Sequence, residues 1–142
     1  MASRPRRTSN GQSAHSRPAG IMLDTGALIA LDRGDKRMIA LLNRALAQGR
    51  AFRVPAGVVG QAWRDGHVQV TLARFLRSAE VEIIPLDEQL ARACGELCRA
   101  SNSSDIIDAS VVILARERRD AIVTSDPNDL RRLDPAAQII PV

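Results

Sequence analysis

Ile21-Met22-Leu23-Asp24-Thr25-Gly26 carries an apolar run straight into a carboxylate. Two later segments repeat the pattern. Asp108 interrupts Ile106-Ile107…Val111-Val112-Ile113-Leu114, and Asp126 follows Ile122-Val123-Thr124-Ser125. A carboxylate at the exit of a hydrophobic element is costly unless it is paired or meets a metal ion. Asp24 and Asp126 each sit directly behind a candidate strand. Three such residues, far apart in sequence, predict one converging acidic cluster and make a divalent-metal site the leading reading.

The segments between them define the fold class. Candidate strands are Ile21–Asp24, Ala51–Val54, Val81–Ile84, Ala121–Thr124 and Gln138–Ile140. Between them, Met38, Ile39, Leu41, Leu42, Ala45 and Leu46 recur at helix spacing, as do Val68, Leu72, Phe75 and Leu76. Asp87 is a candidate cap for the helix carrying Leu90, Ala93, Cys94 and Leu97, and Ser104 or Asp105 for the helix from Ile106 to Arg118. Asp126-Pro127 reads as the entry to a last short helix with Leu130 and Leu133. Strands alternating with helices predict an α/β domain with a mainly parallel central sheet flanked by helices. Ligands of such sheets bind beyond the carboxyl ends of the strands, where Asp24 and Asp126 fall.

The helix from Ile106 to Ala115 is apolar on nearly every face, which predicts a central position. Asp108 lies in its first turns and needs compensation there. The positive end of the helix supplies some; a metal ion would supply more. Asp105, one turn earlier, is read equally as a cap or as a ligand. Magnesium takes hard oxygen ligands and keeps several waters, so two or three carboxylates suffice. Neither histidine falls in these motifs, which excludes a Ser-His-Asp or Cys-His centre, and Gly57…Gly60 lacks the spacing and lysine of a phosphate loop.

The chain has 142 residues, 45% of them hydrophobic, enough for one domain with a core. No apolar run approaches the roughly 20 residues of a membrane span, and the amino terminus has arginines without a hydrophobic signal core. A cytoplasmic protein is expected. The net charge of +4 comes from Arg4, Arg6, Arg7 and Arg17; the remaining 16 basic residues balance the 16 acidic ones. Residues 1–20, rich in Ser, Arg, Pro and Gly, read as a disordered basic tail or a start-site extension, since Met22 opens a strand at once. Residues 21–142 form the domain. Cys94 and Cys98, four apart, read as small apolar residues on one buried helix face.

Taken together, these motifs resemble a known family. Met22-Leu23-Asp24-Thr25-Gly26-Ala27-Leu28-Ile29-Ala30 resembles the opening of PIN domains. Ser104-Asp105-Ile106-Ile107-Asp108-Ala109 followed by Val111–Ala115 resembles their third acidic motif, and Val123-Thr124-Ser125-Asp126-Pro127-Asn128-Asp129-Leu130 their closing motif. The likeness covers roughly residues 21–142, and small single-domain PIN proteins of this size are mostly VapC-type toxins of type II toxin–antitoxin systems. It implies a Mg2+- or Mn2+-dependent endoribonuclease, usually a homodimer, silenced by a cognate antitoxin. It further implies that Asp24 and Asp108 bind the ion, with Asp126 helping directly or through water and Asp105 tuning the site.

One position departs from the family pattern. Where a glutamate is expected on the helix after the second strand, Ala56-Gly57-Val58-Val59-Gly60-Gln61-Ala62-Trp63-Arg64 places Gln61. An amide contributes no charge and cannot act as a general base. Asp65 is the nearest substitute, one turn on. The departure motivates a rival reading, a catalytically weakened PIN protein that works by binding RNA or antitoxin. A receiver-like domain lacks its lysine here, since Lys36 is the only one and comes too early. A haloacid-dehalogenase-like phosphatase would need Asp-X-Asp in place of Asp24-Thr25-Gly26. Arg53, Arg64, Arg131 and Arg132 are candidate RNA contacts. Trp63 reads as a packing or dimer residue, and Asp129 as a surface residue.

Overall fold

The computed structural model describes residues 18–142. The expectation of a disordered tail over 1–20 therefore falls mostly outside the described residues. The element order is β1 (Ile21–Leu23), α1 (Thr25–Asp32), α2 (Lys36–Ala47), β2 (Phe52–Pro55), α3 (Ala56–Ala62), α4 (Val70–Leu76), β3 (Val81–Ile84), α5 (Glu88–Ser101), α6 (Ile106–Arg118), β4 (Ala121–Thr124), α7 (Pro127–Leu133) and β5 (Ile139–Pro141).

The strands form one sheet in the order β3-β2-β1-β4-β5, and every neighbouring pair is parallel. The expected α/β architecture with helices flanking a parallel sheet is borne out. Every residue of β1 and β4 is buried, as suits strands covered on both faces. The sheet grows outward from β1 in both directions, so the carboxyl ends of β1 and β4 flank its topological switch point, where such folds open a ligand crevice.

Strand edges shift slightly from expectation. Asp24 leaves β1 to become the N-cap of α1, β2 runs over Phe52–Pro55, and β5 over Ile139–Pro141. Asp87 caps α5 through the Leu90 amide at 2.9 Å. Of the two candidate caps for α6, Asp105 takes the role, accepting from the Asp108 amide at 2.9 Å. Helix α6 is the central one, with Ala109, Ser110, Val111, Val112, Leu114 and Ala115 buried. Cys94 and Cys98 are buried together against Ala109 with free thiols, as expected.

Val68 does not join a helix. It is exposed in the turn before α4. The side chain of Gln69 explains the break: its Oε1 accepts from the amides of Arg64 and Asp65, while its Nε2 donates to the Ala62 carbonyl and to Asp32. The Gln69 amide thus satisfies backbone groups that a continuous helix would have satisfied itself. No helix among the described residues is long and apolar enough to cross a membrane.

Candidate metal centre

Asp24 stands at the carboxyl end of the central strand with only 5% of its surface exposed. Its Oδ1 accepts from the Ala27 amide at 2.9 Å, so one oxygen is tied to the first turn of α1. Thr124, at the end of β4, lies beside Asp24, where its hydroxyl favours the ionised carboxylate, and it accepts the Asp126 amide at 2.8 Å. This fully buried threonine thereby joins the two strand ends. Burial pushes the Asp24 carboxyl above the usual range, and the negative charge of Asp126 adds to the rise; the Thr124 hydroxyl and the hydrogen bond from the Ala27 amide oppose it.

Asp108 enters from α6. Burial, and then the charges of Asp105, Asp24 and Asp129, push its carboxyl up to about 7. The neighbouring charges that act most strongly on it are all carboxylates. The Asp105 side chain lies beside it and opposes its ionisation. Asp129 is exposed, its carboxyl raised chiefly by Asp126; Arg132, at 3.7 Å, partly offsets this.

Gln61 belongs to the same place. The Thr25 hydroxyl, directly after Asp24, donates to the Gln61 Oε1. Two glycines permit this assembly. A Cβ on Gly57 would come within 2.3 Å of Ile107 Cδ1, so the bare glycine lets α3 lie close against the start of α6. A Cβ on Gly26 would come within 2.0 Å of the Ser125 Oγ, so the loop after β4 can close over the start of α1. Neither close approach is visible from sequence spacing.

The electrostatic pairings connect Asp24, Asp105, Asp108, Asp126 and Asp129 around the switch point, with Gln61 at its edge. Among the described residues, however, no three His, Cys, Asp or Glu side chains stand together as a ready metal cage. The donor set is hard oxygen carrying excess negative charge. That suits an ion such as magnesium, which takes one or two carboxylates and keeps its waters, rather than one needing an all-protein shell.

Other expected residues lie elsewhere. Asp65 is outside α3 and accepts the His67 amide at 2.9 Å in an exposed turn, so it does not replace the missing glutamate. Arg53 is not positioned for substrate. Its guanidinium bonds Asp120 at 2.6 Å and Glu82 at 3.3 Å, and Asp120 precedes β4, at the amino end of the sheet. Arg64 bonds the carbonyls of Gly60 and Trp63 at the end of α3, and Trp63 is partly exposed beside Gly66.

A PIN-domain family model matches residues 21–135. Among curated proteins no sequence matches. Several solved structures share the fold. The VapBC2 complex of Rickettsia felis, bound to a promoter DNA fragment, superposes with a TM-score of 0.64 at 18% identity, covering 85% of this chain and 97% of that one. A toxin–antitoxin complex from Klebsiella pneumoniae gives 0.65 at 16% identity, with 85% and 96% covered. VapC20 of Mycobacterium tuberculosis, described as a Sarcin-Ricin loop cleaving toxin, gives 0.56 at 20% identity, with 75% and 88% covered. At these identities the likeness is one of fold. The family model, spanning most of the chain and all three acidic motifs, goes further: the chain belongs to the PIN-domain family.

Proposed function

We propose that this protein is a Mg2+- or Mn2+-dependent endoribonuclease, the toxin of a type II toxin–antitoxin pair, neutralised by a cognate antitoxin. The observation that carries the reading is the excess of carboxylate at the switch point. Burial and like charge together hold Asp108 at about 7. A site that keeps negative charge with so little compensation is suited to cation binding.

Asp24 and Asp108 would hold the ion, and Asp126 would assist directly or through water. Asp105 acts through Asp108, fixing the start of α6 by its bond to the Asp108 amide. Thr124 orients Asp24 and restrains the Asp126 backbone. A bound divalent ion supplies charge neutralisation at the phosphate and a more acidic water. Near neutral pH the Asp108 carboxyl must surrender its proton before it can bind a cation. The toxin–antitoxin neighbours support a protein antitoxin as partner. RNA as substrate, a homodimer and action in the cytoplasm follow from the same reading.

The test is single-turnover cleavage of a defined RNA with magnesium or manganese, together with growth arrest on induction with and without co-expression of the small protein, if any, encoded by the adjacent reading frame. Metal-dependent cleavage lost in Asp24→Asn and Asp108→Asn supports the reading. Binding of antitoxin with no cleavage in either metal would replace it with a second reading, a binding protein whose catalysis has lapsed. The neutral Gln61, in the position of the family glutamate and seated against Thr25, is the observation that favours this alternative.

A further inference from the structure

We infer that Gln61 is a substrate-binding residue, whose amide NH2 donates a hydrogen bond to a phosphate oxygen of the nucleic-acid strand at the mouth of the acidic centre. The inference rests on the nuclease reading above and assigns Gln61 a task that a glutamate could not perform. Thr25 Oγ1 donates to Gln61 Oε1. That fixes the acceptor half of the amide toward the protein and leaves the donor half, with two hydrogens, for another partner. Among the described residues Nε2 has no bonded acceptor, and Gln61 is exposed.

The surroundings explain why a neutral donor is useful there. The crevice carries Asp24, Asp105, Asp108, Asp126 and Asp129, which influence one another as like charges. A phosphodiester approaching that field is repelled. A carboxylate in place of Gln61 would add to the repulsion, whereas an amide can donate to the phosphate without adding charge. Thr25 is the coupling element, since it follows Asp24 directly and holds the amide. On the other side of the same corner the Ser125 hydroxyl lies against Gly26 and is likewise neutral and exposed. The corner Asp24-Thr25-Gly26 is thus bordered by an amide and a hydroxyl, both able to donate.

The test measures binding rather than turnover. A fluorescein-labelled single-stranded RNA is titrated with the full chain in chelator, and again with calcium to support binding without cleavage. Wild type, Gln61→Ala and Gln61→Glu are compared after thermal melts confirm folding, which an exposed position should preserve. Gln61→Ala should weaken RNA binding about tenfold, the effect of one hydrogen bond to a charged group. The slope of affinity against salt should stay unchanged, because no cation is removed. Gln61→Glu should weaken RNA binding at least as much in chelator, while binding manganese more tightly. Wild-type RNA affinity in both variants would overturn the inference and leave the nuclease reading intact. Failure of the wild-type protein to bind or cleave any RNA would overturn both.

Discussion

The two ends of the central sheet bury the same chemical group and treat it in opposite ways. At the amino end, Asp120 is 4% exposed and is met by the Arg53 guanidinium at 2.6 Å. Burial raises its carboxyl and Arg53 counters the rise. At the carboxyl end, Asp24 is 5% exposed, and the charge that most strongly perturbs it is another carboxylate, Asp126. Burial of an acid is therefore not in itself a sign of function. A buried acid answered by a fixed cation belongs to the scaffold. One surrounded by further acids, with no fixed cation to answer it, is suited to a cation that comes from outside.

This contrast has consequences that mutation can separate. The largest effect should fall at the carboxyl end. Asp24→Asn and Asp108→Asn should lower single-turnover RNA cleavage by at least about 10²–10³-fold, as for loss of a main electrostatic contributor. In chelator, Asp108→Asn should unfold no more easily than wild type, because one of several repelling charges is gone. Melting curves of the same samples check the second half. A large loss of metal-free stability would make Asp108 a scaffold residue like Asp120.

The amino end should respond in the opposite sense. Arg53→Ala strands the Asp120 carboxylate, whose Oδ2 already lacks a partner. Urea denaturation should show a loss of about 3–5 kcal/mol, the usual result of breaking a buried pair from one side. Cleavage per folded molecule should be unchanged. A selective loss of cleavage with normal stability would return Arg53 to the substrate path.

A smaller effect should appear with pH. In the folded, metal-free protein Asp108 titrates at about 7, against a starting value of 3.8. Between those values the folded state holds a proton that the unfolded state lacks, so stability rises as pH falls from 8 towards 4 and is lost as pH rises through about 7. Denaturant midpoints in chelator should follow that trend, and Asp108→Asn should flatten it. A wild-type profile that the substitution leaves unaltered would show that Asp108 is not the group responsible.

Much of the acidic end was legible because its signals are local. Asp24 and Asp126 each follow a run of strand-forming residues, and Asp108 breaks an apolar helix. A cap such as Asp87 or Asp105 acts within three residues of itself, so sequence can propose it. The amino end was not legible. Arg119-Asp120-Ala121 looks like a solvated turn until Arg53, 67 positions away in the chain, is folded against it. The alternation of β2 shows that Arg53 differs in environment from its neighbours, but not which end of the sheet its side chain serves. Gly57 and Gly26 were likewise silent, since the contacts that require them involve Ile107 and Ser125 on other elements. The Gln69 amide broke the expected helix around Val68 through bonds to Arg64, Asp65 and Ala62 that no periodicity encodes.

The central claim, that the carboxyl end of the sheet holds acids for a divalent cation, is tested most directly by calorimetric titration of the full chain with manganese. Wild type should bind, and the heat should disappear in both Asp24→Asn and Asp108→Asn while Arg53→Ala, where folded, still binds. Binding indistinguishable from wild type in both aspartate variants, or no binding by the wild-type protein, would contradict the account.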